Sequence, residues 1–459
     1  MSAPLKLAVV GHTNVGKTSL LRTLTRDAGF GEVSHRPGTT RHVEGARLSV
    51  DGEPLLVLYD TPGLEDAIAL RDYLDGLNAP GERLEGPTRL QRLLAGPEAR
   101  GRFEQEARVL RQLLDSDAGL YVVDAREPVL AKYRDELAIL ADAGKPLLPV
   151  LNFVAQPDQR SEEWREALAR LGLHALVRFD SVAPPQDGEQ RLYASLALLL
   201  EAAAARLQRL LDEHARQRQQ RRQAASRLIA ELLVDAAACR RLVDSAPAAL
   251  EQALSQLRAD LRQREQRCVE ALLALYAFEP GTAETAALPL SEGRWGDDLF
   301  NPHTLRQLGV QLGGGMAAGA AAGLGIDLLV GGLTLGAAAA LGAVAGGTWQ
   351  TLRNYGERLR GKLTGQRELT VDDAILRLLA LRQRQLLAAL EGRGHAAQAP
   401  IRLQDPQAPQ WRDGPLPAVL EQARAHPRWS RLEHPGNPVA AGRAQAIETL
   451  SETLLAGLD

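Results

Sequence analysis

The segment Gly11-His12-Thr13-Asn14-Val15-Gly16-Lys17-Thr18 decides the fold of the amino-terminal part of this 459-residue chain. It fits the pattern G-x-x-x-x-G-K-[ST] and follows an apolar run, Leu5 to Val10, that predicts a buried strand. A stretch of helix-forming composition, Ser19 to Arg26, comes next. A strand, a glycine-rich loop and a helix in this order form a cradle whose N–H groups face a polyphosphate. A chance match in a glycine-rich chain would lack this context.

The motif predicts a role for each residue type. The ammonium group of Lys17 reaches the β- and γ-phosphates, and the hydroxyl of Thr18 ligates Mg²⁺. The residues predicted to contact the nucleotide in this segment are Gly11, His12, Thr13, Asn14, Val15, Gly16, Lys17, Thr18 and Ser19.

Two segments downstream predict switch regions. Asp60-Thr61-Pro62-Gly63 follows the apolar run Leu55 to Tyr59. Asp60 is placed to hold Mg²⁺ through a water, and Gly63 to offer its N–H to a γ-phosphate. The second segment, Pro37-Gly38-Thr39-Thr40-Arg41, carries a threonine at position 40 that can close over Mg²⁺ and the γ-phosphate.

These segments resemble the translation-factor-related GTPases of the Era and tRNA-modification type. The resemblance is carried by Gly11–Leu20, Gly38–Arg41, Asp60–Gly63 and Leu120–Ala125. It implies a GTPase fold, GTP as the nucleotide and hydrolysis of the bond between the β- and γ-phosphates. It also implies that Thr18 and Thr40 ligate Mg²⁺, with Asp60 holding the ion through a water.

The resemblance has two further implications. Asn14 matches the phosphate-loop asparagine that helps to hold K⁺ in potassium-activated members, which makes K⁺ a candidate cofactor. Leu64 stands where Ras-like proteins keep a glutamine that orients water. The chain therefore resembles the hydrophobic-substituted class, in which catalytic help comes from elsewhere.

One signature of that group is incomplete. Asn152-Phe153-Val154-Ala155 stands where the group has Asn-Lys-x-Asp, so Asn152 is present and the guanine-binding aspartate is missing. A site that pairs a substrate donor with an acceptor discriminates strongly, and this residue-level reason to prefer GTP over ATP is lost. Asp180-Ser181 follows the apolar run Ala175 to Phe179 and has two interpretations: a substitute contact to the base, or a helix N-cap.

The wider chain resembles a bacterial family that joins this GTPase domain to a carboxy-terminal domain of unknown function, number 3482. The residues that suggest it are His12–Thr25, Arg36–Leu48 and Leu147–Val154. This resemblance implies an architecture and says little about purpose.

Composition narrows the class of protein. A formal net charge of −3 argues against a strongly basic nucleic-acid-binding protein, so nucleic acid is not an expected partner. Two isolated cysteines, Cys239 and Cys268, lie on predicted helices and give no disulfide framework or metal-binding spacing. We expect a cytoplasmic protein, because Met1 to Lys6 leads straight into the nucleotide fold without a signal peptide.

Short apolar runs alternating with helical stretches predict an α/β domain over residues 1–205, with a mostly parallel sheet and helices on both faces. An all-α region is expected after it: a long helical pair at 206–300, a Gly/Ala-rich hairpin at 301–355 and a helical region at 356–459. The segment Gly76 to Arg102 is long for its position. It has two interpretations, a mobile lid or docking loop and a disordered surface insertion.

Leucine spacing in the second half predicts one helix from Leu192 to Ser245, a break at Pro247 and a second helix from Ala248 to Ala277. Within the first predicted helix, a basic run fits either a solvated helix face or a surface for anionic lipid or RNA. Its residues are Arg216, Arg218, Arg221 and Arg222. Another helix is predicted from Val371 to Leu390.

The segment Leu308 to Leu352 is rich in Gly and Ala and contains a single charged residue, Asp327. Small residues spaced by four allow close helix packing, and each half approaches the ~20 residues that cross a bilayer. One interpretation is an inserting hairpin with Asp327 at the turn, giving contact with the inner membrane. The other is a helix pair buried inside the protein.

The predicted function is Mg²⁺-dependent GTP hydrolysis that switches a helical, membrane-associated effector region, with Lys17, Thr40 and Gly63 as catalytic groups. A homodimer and an unidentified protein partner are compatible with this function. Three alternatives stay open at this stage: an ATPase, a nucleotide-gated membrane-remodelling or pore scaffold, and an RNA-linked GTPase.

Overall fold

A computed structural model of the protein divides the chain into two compact units. The first contains Met1–Arg218 and Gly392–Ala399, and the second contains Gln219–Glu391 and Pro400–Asp459. The structure describes residues 3–26, 43–77, 84–156, 158–182, 184–185, 187–278, 290–291, 294–295, 298–301, 326–329, 366–392, 411, 414–432 and 440–456. At residues 326–329 it describes only the backbone.

A six-stranded sheet with the order β2-β3-β1-β4-β5-β6 forms the centre of the first unit. Its strands are β1 (Leu5–Val10), β2 (Glu44–Val50), β3 (Glu53–Asp60), β4 (Ala118–Asp124), β5 (Leu147–Asn152) and β6 (Val177–Arg178). All neighbours are parallel except β2 and β3, which form an antiparallel pair. The mostly parallel α/β fold predicted from the sequence is confirmed.

Helices cover both faces of this sheet. They are α1 (Lys17–Thr25), α2 (Ala67–Gly76), α3 (Gly86–Ala95), α4 (Glu104–Asp115), α5 (Ala131–Ala141), α6 (Ser161–Arg170) and α7 (Gly188–Leu199). One core cluster unites Leu20 of α1 and Leu196 of α7 with the sheet. The other face packs against Leu70 of α2, Leu137 of α5 and Trp164 of α6. Apolar strands buried on both faces are what parallel sheets require.

The segment Gly76 to Arg102 is packed in its described part. Leu90 and Leu93 of α3 are both 0% exposed, and a 3₁₀ turn at Pro97–Arg100 leads into α4. Neither a mobile lid nor a disordered insertion fits these residues, so those two interpretations of them were wrong, and a docking role stays a prediction. Leucines three positions apart share one face of a helix, and this face is buried against the domain.

The second unit is mainly helical, as predicted, and also contains antiparallel sheet. Its helices are α8 (Ala204–Ala237, which starts in the first unit), α9 (Pro247–Leu275), α10 (Asp373–Glu391), α11 (Ala418–Arg424) and α12 (Arg443–Ala456). Its strands are β7 (Arg240–Asp244), β8 (Leu290–Ser291), β9 (Arg294–Trp295), β10 (Ile326–Leu329) and β11 (Gln366–Val371). Strand β11 lies between β10 and β7 and is antiparallel to both.

The predicted continuous helix from Leu192 to Ser245 was wrong at two places. A 3₁₀ turn at Glu201–Ala203 separates α7 from α8, and β7 occupies the end of the predicted helix. Pairing with the distant β11 fixes β7 as a strand, a tertiary contact that local spacing does not report. Cys239 consequently lies just after α8 and not on a helix.

The Gly/Ala-rich segment 308–352 lies outside the described residues apart from β10. Asp327, predicted at a hairpin turn, is within that strand and is paired in register with Thr370. Among the helices that the structure does describe, none is both long and apolar enough to cross a membrane.

The basic run on α8 is partly used in internal contacts. Arg222 donates two hydrogen bonds to Glu391, at 2.8 and 3.0 Å, and Arg216 contacts Glu213. An uninterrupted anion-binding face is therefore not formed, because Arg222 already has a carboxylate partner.

A buried ion cluster joins three helices of the second unit. The carboxylate of Asp235 on α8 is 0% exposed and lies 2.8 Å from both Arg264 of α9 and Arg443 of α12. It also accepts a hydrogen bond from the backbone N–H of Arg431 at 3.2 Å. Removing one partner from a buried ion pair leaves the other charge without compensation, which is far more costly than losing an exposed pair.

We expect Asp235→Asn to lower the free energy of unfolding of the second unit by about 3–5 kcal/mol, because two guanidinium groups lose their shared carboxylate. Chemical denaturation followed by circular dichroism measures the change. Glu448→Gln is the matched control, since this residue forms an exposed pair with Arg227 and should cost less than about 1 kcal/mol. Equal effects of the two substitutions would contradict the stabilising role of the cluster.

Candidate nucleotide-binding site

The phosphate loop, residues 11–16, bends sharply between β1 and α1. Gly11, Asn14 and Gly16 have positive φ angles of 140°, 62° and 88°. Glycine and asparagine tolerate such angles better than other residues. A Cβ added at Gly11 would lie 2.4 Å from the carbonyl oxygen of Val122 in β4, so the loop also needs glycine for close approach. Loops of this kind present successive N–H groups to an anion.

Lys17 is buried at the first position of α1. Its Nζ donates to the carbonyl oxygens of Gly11 at 3.2 Å and His12 at 2.7 Å. Burial lowers the pKa of Lys17 to about 8, and the charges of Asp60, Glu136 and Glu65 oppose this shift. A desolvated ammonium group within the loop is suited to phosphate oxygens, which would return the stabilisation that water no longer provides.

Thr18 and Asp60 meet beside Lys17. The Thr18 hydroxyl donates to Oδ2 of Asp60 at 2.5 Å, while Oδ1 of this 1%-exposed carboxylate has no hydrogen-bond partner among the described residues. Burial raises the pKa of Asp60, and the contacts with Thr18 and Lys17 lower it by less. A hydroxyl and a buried, incompletely satisfied carboxylate are the oxygen ligands that Mg²⁺ prefers. These two residues therefore fit the predicted magnesium site.

Thr40, the third predicted metal ligand, lies outside the described residues, as does the rest of the segment at 37–41. Ser19 lies half-buried in the first turn of α1, and Asn14 is exposed at the tip of the phosphate loop.

The segment after β3 is docked on the phosphate loop. The Leu64 N–H donates to the Gly11 carbonyl at 3.3 Å, and a Cβ added at Gly63 would lie 2.4 Å from the side chain of Thr13. Thr61 anchors the same segment by donating its hydroxyl to the Val9 carbonyl at 2.7 Å. The structure thus brings the predicted γ-phosphate donor, Gly63, next to the phosphate loop.

Asn152 is a fully buried clamp. Its Nδ2 donates to the carbonyl of Val15 at 3.0 Å, and its Oδ1 accepts the N–H groups of Phe153 and Ser181, each at 2.9 Å. The side chain therefore ties the phosphate loop to the ends of β5 and β6. Its role as a direct contact to the base stays a prediction.

Asp180 also holds backbone. One carboxylate oxygen accepts the N–H of Ala155 and the other that of Val182, both at 2.9 Å, and the residue is 2% exposed. Neither Asp180 nor Ser181 is a helix N-cap, because the next helix, α7, is preceded by Asp187. That interpretation was wrong. A substitute base contact by Asp180 is not tested and stays a prediction.

Phe153 stands where the related signature has lysine. It has a positive φ of 58°, and its ring lies beneath the guanidinium of Arg126, 4.1 Å from the ring centroid. Arg126 is held in turn by Asp124 through hydrogen bonds of 2.9 and 2.6 Å. Phe153 and Arg126 thus form a stacked aromatic and cationic pair where the related signature has lysine.

Comparison with known families agrees with this geometry. Residues 6–153 match the family described as "50S ribosome-binding GTPase". Residues 165–452, more than half of the chain, match "Domain of unknown function (DUF3482)". The chain belongs to this family. Its expected architecture, an Era-type GTPase domain joined to this carboxy-terminal domain, is confirmed.

Curated relatives of this chain support the assignment of its first domain. GTPase Der of Xylella fastidiosa (strain 9a5c) is 34% identical over 151 residues, which are 32% of this chain and 25% of the relative. The tRNA modification GTPase MnmE of Synechococcus sp. (strain JA-3-3Ab) is 33% identical over 178 residues, covering 36% of this chain and 34% of the relative. The chain thus spans a quarter to a third of these curated relatives.

One solved structure found in the comparison is that of a variant of Era from Aquifex aeolicus bound to GDP.AlF4-. It is 15% identical, with a TM-score of 0.31, and the match covers 59% of this chain and 89% of that one.

A buried network behind the phosphate loop was not predicted from the sequence. Nδ1 of His12 lies 2.6 Å from Glu136, a 0%-exposed carboxylate on α5 that also accepts the hydroxyl of Tyr121 at 3.0 Å. Nζ of Lys132 lies 2.9 Å from the other ring nitrogen. Burial and the neighbouring Glu136 raise the pKa of Tyr121. No local motif marks Glu136, because its partners are brought to it by packing.

We expect Gly16→Ala to destabilise the first unit more than Gly172→Ala does. The two glycines have similar φ angles of +88° and +79°, so each alanine costs about 1–2 kcal/mol of backbone strain. At Gly16 the new Cβ would also lie 2.3 Å from Nδ2 of Asn152, whereas nothing lies within 4 Å at Gly172. Losing the Asn152 clamp should add about 1–3 kcal/mol.

The free energy of unfolding measured by chemical denaturation compares the two variants directly. If both alanines cost the same, Asn152 does not clamp the phosphate loop as described.

Proposed function

We propose that this protein binds GTP and hydrolyses it to GDP and phosphate in a Mg²⁺-dependent reaction. The observation that supports this most strongly is the meeting of three groups at one end of the sheet. These are the buried ammonium of Lys17, the Thr18–Asp60 oxygen pair and the phosphate loop. Nothing else in the described residues combines a desolvated cation with such a loop.

In the proposed reaction a water attacks the γ-phosphorus, and the bond from phosphorus to the β–γ bridging oxygen breaks. Lys17 and the loop N–H groups around Gly16 stabilise the charge that develops on the phosphate oxygens. The N–H of Gly63 is proposed to contact the γ-phosphate. Thr18, Asp60 and Thr40 would hold Mg²⁺, which when bound neutralises part of the phosphate charge.

Leu64 is excluded as a group that orients water. It is 0% exposed and apolar, and its N–H is already bonded to Gly11. Asn14 supports a K⁺ requirement through its position in the phosphate-loop motif, and it is exposed at the tip of the loop in a left-handed conformation. We propose K⁺ and homodimerisation as the two sources of catalytic help.

GTP is preferred over ATP on the basis of family membership and of relatives named as GTPases. The residues at 152–155 do not supply the usual guanine acceptor. Hydrolysis of a purified nucleotide panel separates the GTPase from an ATPase of the same fold.

We expect Lys17→Ala to weaken binding of GTP by about 10- to 100-fold, because a charge-assisted contact to the phosphates is lost. Equilibrium titration with a fluorescent, non-hydrolysable GTP analogue measures the affinity. Lys6→Ala is the control, since Lys6 lies on β1 but pairs with Asp115 on the surface. Unchanged affinity in Lys17→Ala would remove the proposed site.

The bound nucleotide, GTP or GDP, is proposed to act as a switch on the helical region.

A cytoplasmic location is proposed because the described cysteines, Cys239 and Cys268, are buried free thiols. Burial raises the pKa of Cys268 to about 12, which makes that thiol unreactive at neutral pH. RNA-linked activity is the weaker alternative. It is supported by the family description "50S ribosome-binding GTPase" and by the name of the tRNA modification relative, and it is opposed by the net charge of −3.

Membrane association through residues 308–352 is proposed from their composition alone. We expect the full chain to float with vesicles of phosphatidylethanolamine and phosphatidylglycerol in a density gradient, and more so with the GTP analogue than with GDP. Recovery of the protein at the bottom of the gradient under both conditions would end the membrane proposal and leave the GTPase proposal intact.

A further inference from the structure

The first turn of α4 faces the segment that carries Gly63. The described helices α2, α3 and α4 separate β3 from β4 in the chain. Helix α4 contacts the residues that come just before α2. At this place two adjacent side chains of α4, Gln105 and Glu106, contact the backbone of residues 63–66, which we call the Gly63 segment.

Each side chain satisfies a different kind of backbone group. Nε2 of Gln105 donates to the Gly63 carbonyl at 2.6 Å. Oε1 of Glu106 accepts the N–H groups of Glu65 at 3.3 Å and Asp66 at 3.2 Å. Glu106 is 4% exposed, so water competes little for these contacts.

The peptide group between Gly63 and Leu64 is consequently held from both sides. Its N–H is bonded to the Gly11 carbonyl of the phosphate loop, and its carbonyl is bonded to Gln105 of α4. Glu106 holds the next two peptide N–H groups, just before α2 begins at Ala67. A carboxylate at that end of a helix is also favoured by the helix dipole.

The start of α4 is itself firmly anchored. Phe103 is 0% exposed and packs against Tyr73 of α2, with ring centroids 5.5 Å apart. The hydroxyl of Tyr73 donates to Glu98 in the preceding 3₁₀ turn at 3.1 Å. The two polar side chains therefore extend from a fixed support and can hold the Gly63 segment in one place.

We propose that Gln105 and Glu106 are positioning residues that hold the Gly63 segment against the phosphate loop and so prepare Gly63 to recognise the γ-phosphate. The assignment rests on the proposed GTPase function. Neither side chain touches the reacting atoms in this scheme; both act through the backbone of residues 63–66.

Preorganisation has a specific consequence for binding. A donor that is already in place does not lose conformational entropy when the ligand arrives. The Gly63 contact is made to the γ-phosphate, which GDP lacks. Loosening the segment should therefore weaken binding of a GTP analogue and leave binding of GDP unchanged, whereas general destabilisation of the domain would weaken both.

The test compares Gln105→Leu with Gln112→Leu in the full chain. Both replace a glutamine of α4 by an apolar residue of similar size, but Gln112 donates to Ser116 and does not contact the Gly63 segment. Equilibrium affinities are measured for GDP and for a non-hydrolysable GTP analogue. Loss of one hydrogen bond predicts that the preference for the GTP analogue falls about two- to tenfold in Gln105→Leu. The preference should not change in Gln112→Leu.

Hydrogen exchange of the nucleotide-free protein provides an independent readout. Glu106→Ala should speed exchange at the amides of Glu65 and Asp66, because both lose their acceptor. Slow exchange there, or a GTP preference that is unchanged or increased in Gln105→Leu, would overturn the assignment. Failure of the wild-type protein to bind either nucleotide would instead refute the proposed function, and with it this role for the pair.

Discussion

The burial of Lys17 is the constraint on which the functional site depends. Its ammonium group lies within a loop of backbone carbonyls, with Asp60 and Glu136 as the carboxylates that limit the cost of desolvation. A buried cation with incomplete solvation is poised for an anion, and phosphate oxygens supply what water cannot. The positive φ angles of the loop and its close approach to β4 both serve to keep this cation in place.

The site is therefore supported from behind by side chains that hold the phosphate loop and the Gly63 segment in place. Asn152 joins the phosphate loop to the ends of β5 and β6, and Glu136 holds His12 from α5. Gln105 and Glu106 hold the Gly63 segment from α4. Supporting contacts of this kind fix the geometry of a site that must bind charge without rearranging.

The second unit is held together by a different arrangement of charge. Asp235 is enclosed by Arg264 and Arg443, and Glu265 lies against Arg382 on α10. Burial raises the pKa of Glu265, and the nearby Arg382 opposes that shift. These buried ion pairs join α8, α9, α10 and α12, and losing one partner would leave the other charge uncompensated.

Sequence by itself determined the strand–loop–helix of the phosphate loop and the parallel sheet, and it singled out Lys17, Thr18, Asp60 and Gly63 as the residues proposed for the site, because each of these depends on local patterns of residue type. It did not determine β7, whose strand conformation depends on pairing with the distant β11. Nor did it reveal Glu136, Gln105 or Glu106, or the use of both Asp180 oxygens by backbone N–H groups. Those contacts join residues far apart in the chain, so only the packing of helices against the sheet could decide them.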